Sequence, residues 1–254
     1  LGYLHRFLPN PEQKKSGCNY IEQAAELGSV QGAHAAGECY ANGLVESQDQ
    51  AANVLKWFTR AMEGGSNLSR CALGEHYMRG RLFEKDFDKG FKLCMIAAEA
   101  GVPAAMATVG EEYIRGENQP RDMQKAWQWM QRAAEGNWPQ AQYTLSIMYE
   151  RGDGAEKDLD KSHAWSLKAS RNSVSHSFFR TARGFLNRAV ISESEIDLSI
   201  LRKSHYWFNQ AFRHSPREEE RKLASEGIRT MHVIVDQAIL QSWQADLKIP
   251  RKDF

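Results

Sequence analysis

The chain has 254 residues, of which 42% are hydrophobic and 26% are charged, a composition typical of a folded globular protein. Its formal net charge of +1 at pH 7 argues against nucleic acid as the main partner. The sequence contains no run of about eighteen apolar residues, so a transmembrane segment is not predicted.

The first segment, residues 1–28, is predicted to contain one helix. Residues 11–28 end in the motif Ala25-x-x-Gly28, which recurs farther along the chain at the end of the second helix of a helix pair. We therefore interpret them as a partial repeat, a second helix without its first.

The next segment, residues 29–172, repeats one short motif four times. The tyrosines of the motif lie 37, 36 and 36 residues apart. A period of this length indicates stacked helix pairs, each of which buries its apolar face only against its neighbours. The repeated tyrosines are Tyr40, Tyr77, Tyr113 and Tyr149.

The first helix of a repeat carries a small residue, an aliphatic residue, a glycine and the tyrosine, as in Ala105, Val109, Gly110 and Tyr113. The first, second and last of these share one helical face. The fourth copy has a serine in place of the glycine, and the first copy has an alanine in place of the aliphatic residue. A glycine inside a helix costs roughly 1 kcal/mol relative to alanine, so its recurrence predicts a close approach between helices. A further glycine, three residues after each tyrosine, is predicted to end the helix in the left-handed conformation. These terminal glycines are Gly43, Gly80, Gly116 and Gly152.

In most copies the second helix follows an aspartate that is expected to cap it, and the spacing Lys-x-x-x-Trp-x-x-x-Ala recurs in these helices, as in Lys125, Trp129 and Ala133. The tryptophan is predicted to pack in the core. The helix ends in Ala-x-x-Gly, and this glycine, replaced by Asn172 in the last copy, is expected to be left-handed. The expected caps are Asp86, Asp122 and Asp158, and the expected core tryptophans are Trp57, Trp129, Trp165 and Trp207.

These motifs resemble the Sel1-like repeat family, a relative of the tetratricopeptide repeats, in its bacterial type, and residues 121–136 match the family pattern almost position for position. The resemblance implies an all-α fold, a superhelical α-solenoid of Sel1-like helix-turn-helix repeats. It also implies a non-catalytic protein–protein binding module that binds its partner through the concave face of the solenoid.

The remaining chain departs from the pattern. Residues 173–215 are predicted to form a degenerate fifth repeat with a longer acidic loop around Ile191–Leu201. Residues 216–254 are predicted to form a C-terminal capping helix, so that the domain is one continuous solenoid. The apolar stripe of this helix comprises Met231, Ile234, Val235, Ala238, Ile239 and Trp243.

Two ladders of side chains flank the repeated tyrosine and would align as stripes if equivalent positions of neighbouring repeats stack. Glu75–Arg79 and Glu111–Arg115 are also favourable i,i+4 pairs, so a helix face laced with salt bridges is the alternative to a binding stripe. Arginines left unneutralised in the ladder would favour an acidic partner. Trp138 lies off the pattern and is either an interface anchor or an inter-repeat packing residue. The candidate partner-binding residues are Glu38, Glu75, Arg79, Glu111, Arg115, Tyr143, Ile147, Arg151, Arg183 and Trp138.

The sequence carries no hydrolase, metalloprotease, phosphate-loop or dinucleotide motif, so no enzyme activity, catalytic residue, cofactor or metal site is predicted. From the resemblance, the favoured partner is a protein, and the favoured role is an immunity protein that neutralises a secreted bacterial toxin such as a phospholipase effector. The alternatives are an adaptor or scaffold of a cell-envelope or signalling complex and, more remotely, a hydrolase. A periplasmic or envelope location is favoured, and a cytoplasmic one is the alternative.

The four cysteines show no Cys-x-x-Cys spacing and no regular pairing from repeat to repeat. We expect reduced thiols in or near the core, unlike the cysteine-rich branch of the family, which carries a disulfide in every repeat. The alternative is a disulfide between Cys71 and Cys94, because these residues lie on the first and second helices of one repeat.

Overall fold

The computed structural model describes residues 11–192 and 195–234, which form twelve helices and one pair of short strands. The chain divides into two compact units, Leu1–Gly136 (unit 1) and Asn137–Phe254 (unit 2). Each unit is built from antiparallel helix pairs stacked on one another, as the repeat period predicts.

Unit 1 contains seven described helices, and each packs against the next along the chain. Its largest fully buried side chains, Trp57 and Phe58, lie in a core together with Val54, Leu73 and Tyr40. The helices are α1 (Pro11–Glu26), α2 (Val30–Ala41), α3 (Gln50–Glu63), α4 (Asn67–Arg79), α5 (Phe87–Glu99), α6 (Pro103–Arg115) and α7 (Met123–Glu135).

Unit 2 continues with α8 (Pro139–Arg151), α9 (Leu159–Arg171), α10 (Ser175–Ala189), β1 (Val190–Ser192), β2 (Glu195–Ile196), α11 (Leu198–His214) and α12 (Glu218–Ile234). Its core includes Phe178, Leu201, Trp207, Phe208 and Met231. The segment predicted as a long acidic loop contains the antiparallel strands β1 and β2, in which Val190 pairs with Ile196.

The predicted aspartate caps are confirmed. Each side chain accepts a hydrogen bond from a backbone N–H in the first turn of the following helix, for example from Lys89 to Asp86 at 2.9 Å. Asp122 and Asp158 cap α7 and α9 in the same way. The glycines that end the first helices are left-handed as predicted, with φ between 62° and 81° at Gly43, Gly80, Gly116 and Gly152.

The prediction for the end of the second helices is wrong in three copies. Gly64, Gly136 and Asn172 have φ of −78°, −71° and −85°, and the left-handed residue is the one that follows each of them. At Gly64 the reason for glycine is space, because a Cβ there would lie 2.4 Å from a methyl group of Val30. A side chain at this position would therefore push away α2, the first helix of the same repeat.

The glycine inside the first helix serves close packing, as predicted. A Cβ on Gly74 would lie 2.5 Å from the carbonyl oxygen of Gly90 on α5, and a Cβ on Gly90 would lie 2.3 Å from the carbonyl oxygen of Gly74. Two glycines thus face each other and allow α4 and α5 to approach until their backbones touch.

The expectation of four reduced thiols is wrong. Cys18 on α1 is bonded to Cys39 on α2, and Cys71 on α4 is bonded to Cys94 on α5. Each bridge joins neighbouring antiparallel helices in unit 1, across sequence separations of 21 and 23 residues. The pair Cys71–Cys94 matches the stated alternative. The other pair was missed because Cys18 lies in the partial repeat.

The predicted core tryptophans differ in burial. Trp57 is fully buried and Trp207 is 7% exposed, whereas Trp129 and Trp165 are only half-buried. Cations lie over the rings of the last two, with Arg132 Cζ 4.3 Å from the Trp129 ring and Lys168 Nζ 4.1 Å from the Trp165 ring. These rings therefore form the edge of the core, where cation–π contacts cover them.

The first part of the proposed capping helix is α12. Ala224 and Met231 on α12 are buried, and a Cβ on Gly227 would lie 2.5 Å from the Phe208 ring of α11. The rest of the predicted apolar stripe, from Val235 to Trp243, lies outside the described residues.

Candidate functional site

The ten candidate residues fall into two groups, one in each unit. In unit 1, Glu38, Glu75 and Glu111 lie on α2, α4 and α6, the first helices of three successive repeats, and all three are half-buried. We call the surface formed by Glu38, Glu75, Glu111, Glu112, Arg79 and Arg115 the acidic wall.

Hydrogen bonds join neighbouring first helices beside the acidic wall. Thr108 of α6 donates to Glu75 Oε1 of α4 at 2.9 Å. His34 Nδ1 of α2 lies 3.0 Å from Ser69 Oγ of α4. The three helices thus present one continuous surface within unit 1.

The arginines of the wall are neutralised by glutamates of their own helices. Arg79 pairs with Glu75 at 3.1 Å. Arg115 pairs with Glu111 at 3.4 Å and with Glu112 at 2.7 Å, and Glu112 is 7% exposed. The salt-bridged helix face, given above as the alternative to a binding stripe, is thus present at both pairs, so Arg79 and Arg115 are not the unneutralised arginines that would favour an acidic partner. Four carboxylates face two guanidinium groups, so the wall has an excess of negative charge.

Two carboxyls of the wall, Glu38 and Glu111, have a raised pKa, and burial is the largest cause. Burial raises the pKa of Glu111 above its ordinary value of 4.5, and the nearby carboxylates of Glu75 and Glu112 raise it further, although Arg115 acts in the opposite direction. Burial and the charge of Glu75 also raise the pKa of Glu38, against a hydrogen bond from Asn42. The wall holds more negative charge than its own cations compensate.

Two histidines border the wall and stay uncharged at neutral pH. Burial lowers the pKa of His34 and of His76 below the ordinary value of 6.5, although Glu38 and Glu75 act on His76 in the opposite direction. They therefore do not neutralise the neighbouring glutamates at pH 7.

The second group of candidates lies in unit 2. The Tyr143 ring of α8 is 6.2 Å from the His176 ring of α10, and Arg180 Cζ lies 6.0 Å from the Tyr143 ring. Arg183 forms an ion pair with Glu150. Ile147 is half-buried and Arg151 is exposed on the same helix, α8, while Trp138, at the start of α8, is 39% exposed.

Several residues of these surfaces were missed from the sequence. Thr108, Glu112, Glu150 and Arg180 all lie on first helices and contact candidate residues. The missing signal is the offset between contacting positions. Glu75 contacts Thr108 and Glu150 contacts Arg183, both 33 residues later, whereas the repeat period is 36.

The chain belongs to the Sel1 repeat family. The model of the Sel1 repeat matches residues 30–66, 68–102, 103–138 and 139–174, which together make up more than half of the chain. No curated protein matches it.

Solved structures share the fold. A Sel1 repeat protein from Oxalobacter formigenes is 20% identical, with a TM-score of 0.63 over 87% of this chain and 99% of that chain. A protective antigen of uropathogenic Escherichia coli with an SLR fold is 23% identical, with a TM-score of 0.67 over 88% of this chain and 48% of that chain. An immunity protein from Pseudomonas aeruginosa is 12% identical over 84% of this chain and 81% of that chain. Its TM-score is 0.49, a similarity too low to indicate a shared function.

The family match and the structures from Oxalobacter formigenes and Escherichia coli confirm the predicted fold class, an α-solenoid of Sel1-like repeats. Sel1 repeats mediate protein–protein interaction, and solenoids built from them are generally non-catalytic. Among the helices that the structure describes, none has the length and apolar character needed to cross a membrane.

Proposed function

We propose that this chain is a non-catalytic protein-binding module whose acidic wall binds a basic segment of its partner. The observation that carries this proposal is the excess of half-buried carboxylates on three successive first helices, with the pKa of Glu38 and Glu111 raised. A lysine or arginine of a partner would supply the missing positive charge.

The physical chemistry of the wall favours a specific rather than a diffuse contact. Half-buried charges are screened less by salt than fully exposed ones, so a cation placed beside Glu75 or Glu111 gains more than it would at an open surface. Charged groups at the rim of such a contact mainly accelerate association, and enclosed pairs slow dissociation.

For the finer role, we propose an inhibitor that neutralises one partner, as an immunity protein neutralises a secreted toxin, in the periplasm or cell envelope. The disulfides Cys18–Cys39 and Cys71–Cys94 support an oxidising compartment. A single charged wall in unit 1 suits a one-to-one complex.

The alternative role is an adaptor that holds two proteins at once. Trp138 favours it, because this residue is 39% exposed in unit 2 and offers an anchor of different chemistry from the acidic wall. Such an adaptor would belong to a cell-envelope or signalling complex, and a cytoplasmic location is the alternative to the periplasm.

The test is isolation of the complex with the full chain as bait, followed by light scattering and activity assays. The inhibitor role predicts a one-to-one complex in which the partner loses its activity. A ternary complex with an active partner would favour the adaptor. Turnover of hydrolase substrates by the chain alone would contradict the non-catalytic proposal.

A further inference from the structure

A second feature of the molecule, separate from the acidic wall, is a pocket of about 240 Å³ in unit 2. It lies between the end of α8, the start of α9 and the end of α10. Its ionisable lining consists of three arginines, one histidine and two carboxylates. These residues are Arg180, Arg183, Arg188, His163, Glu150 and Asp160.

The carboxylates do not saturate the arginines. Glu150 is shared between Arg180 and Arg183. Arg188 pairs with Asp160, whose side chain is 87% exposed, so water weakens this pair. Each guanidinium group has five N–H donors. Three guanidinium groups around two carboxylates therefore keep donors free for another acceptor.

Arg180 gives the most direct sign of a missing acceptor. Its side chain is 19% exposed, and its Nε is enclosed without a hydrogen-bond partner among the described residues. Burial lowers the pKa of Arg180, although nearby Tyr143 opposes this effect. The guanidinium group pairs with Glu150, but its buried Nε–H has no acceptor in the described part of the chain, and an unsatisfied donor of this kind is costly and calls for an ion, a water or a ligand.

The histidine of the pocket adds no positive charge to it at neutral pH. Burial and the nearby Arg188 lower the pKa of His163 to about 4, so its ring is neutral at pH 7. The ring is held edge-on against Phe185, with 4.5 Å between centroids. It forms a rigid, uncharged side of the pocket.

We propose that this pocket binds an oxyanion, a carboxylate or a phosphate, between the guanidinium groups of Arg180, Arg183 and Arg188. The planar donor fork of arginine matches both groups and can bind them with two parallel hydrogen bonds. The volume admits one such group and excludes a drug-sized ligand. The group is either a free anion or the carboxylate of a protein side chain.

The test is a titration of the isotope-labelled full chain, followed through the amide signals of Gly184 and Asn187 at constant ionic strength. The probes are inorganic phosphate, glutarate and a short capped peptide with one central glutamate. We expect saturable shifts, and Arg183→Gln with Arg188→Gln should weaken binding by about tenfold or more. Tighter binding of phosphate identifies a free anion as the ligand type, and tighter binding of the peptide identifies a side-chain carboxylate.

The matched control is Arg171→Gln with Arg213→Gln, which removes the same charge from exposed positions of unit 2 outside the pocket. It should retain wild-type binding. If the double pocket variant does not fold, Arg183→Gln alone, at a side chain that is 45% exposed, should still weaken binding severalfold. Shifts that fail to saturate, that chloride reproduces, or that persist in the pocket variants would overturn the proposal.

Discussion

The Glu38 and Glu111 carboxyls are expected to destabilise the fold at neutral pH. A carboxyl whose pKa is raised in the folded state binds its proton more tightly there than in the unfolded chain. The stabilisation that comes from this tighter proton binding is complete below the ordinary pKa of 4.5. It is lost as the pH rises through the raised pKa. Residues that cost stability in this way are typical of binding surfaces.

We therefore predict that Glu111→Gln raises the melting temperature at pH 7 relative to wild type, because Arg115 keeps its second partner, Glu112. The difference should shrink as the pH falls towards 4.5. The measurement is thermal unfolding by circular dichroism at several pH values. Glu117→Gln, at an exposed position, is the control. A variant less stable than wild type at pH 7 would show that Glu111 stabilises the fold.

The glycines of the first helices give a second prediction at this scale. Gly74→Ala should destabilise unit 1 by about 1–3 kcal/mol, because its Cβ would meet the backbone of Gly90, which cannot move aside alone. Gly110→Ala, at the equivalent position, meets the Met130 side chain at 3.0 Å and the Ala126 carbonyl oxygen only at 3.3 Å, so it should cost clearly less than Gly74→Ala. Urea unfolding measures both. Equal effects would contradict the backbone contact between α4 and α5.

At the scale of helices, local features could be predicted from the sequence, whereas the particular side chains that meet between helices could be predicted only in part. The caps at Asp86, Asp122 and Asp158 depend on residues within three positions, so their motif suffices. The failure at Gly64 arises because the contact that requires a glycine comes from Val30, more than thirty residues earlier, at the start of the first helix of the same repeat. Sequence spacing alone does not report such a neighbour.

The contacts of the candidate site could also be predicted only in part from the sequence. The period of 36 residues identifies equivalent positions, but helices that cross at an angle bring non-equivalent side chains together. Glu75 meets Thr108, and Glu150 meets Arg183, one helical turn before the equivalent position. The ladder predicted which helices are neighbours, and it missed Glu112 and Arg180, which complete the two charged surfaces.

The disulfide Cys71–Cys94 is predicted to stabilise the pair of helices that it joins. Cys71→Ala with Cys94→Ala should lower the stability of unit 1 by roughly 3 kcal/mol, because the bridge closes a loop across 23 residues in the unfolded chain. Non-reducing mass spectrometry should find the wild-type chain two hydrogen atoms lighter for each bridge. Adding reductant should lower the wild-type melting temperature. An unchanged melting temperature and a fully reduced mass would show that all four cysteines are free thiols.

At the scale of the whole molecule, a stack of repeats needs an end that shields its last apolar face. In unit 2, α12 lies over Phe208, which is 2% exposed, and contributes the buried Met231. We predict that deletion of residues 216–254 causes aggregation or a marked fall in melting temperature, as measured by light scattering and thermal unfolding.

Point variants separate capping from a general effect of truncation. Met231→Ala should cost about 2–5 kcal/mol, since it empties a buried site. Leu223→Ala on the same helix is the control, because Leu223 is 45% exposed and its loss should stay within about 0.5 kcal/mol. A monomeric truncated chain with an unchanged melting temperature would rule out the capping role.

The central claim is that the protein binds a basic partner segment through its acidic wall. The most direct measurement is the dissociation constant of the isolated complex for wild type, for Glu75→Gln with Glu111→Gln, and for Glu99→Gln with Glu135→Gln, which removes the same charge from exposed positions of second helices in unit 1. We predict about tenfold or greater weakening and a smaller salt dependence for the wall variant, with wild-type affinity for the control. Equal affinities for all three proteins, or tighter binding by the wall variant, would contradict the claim.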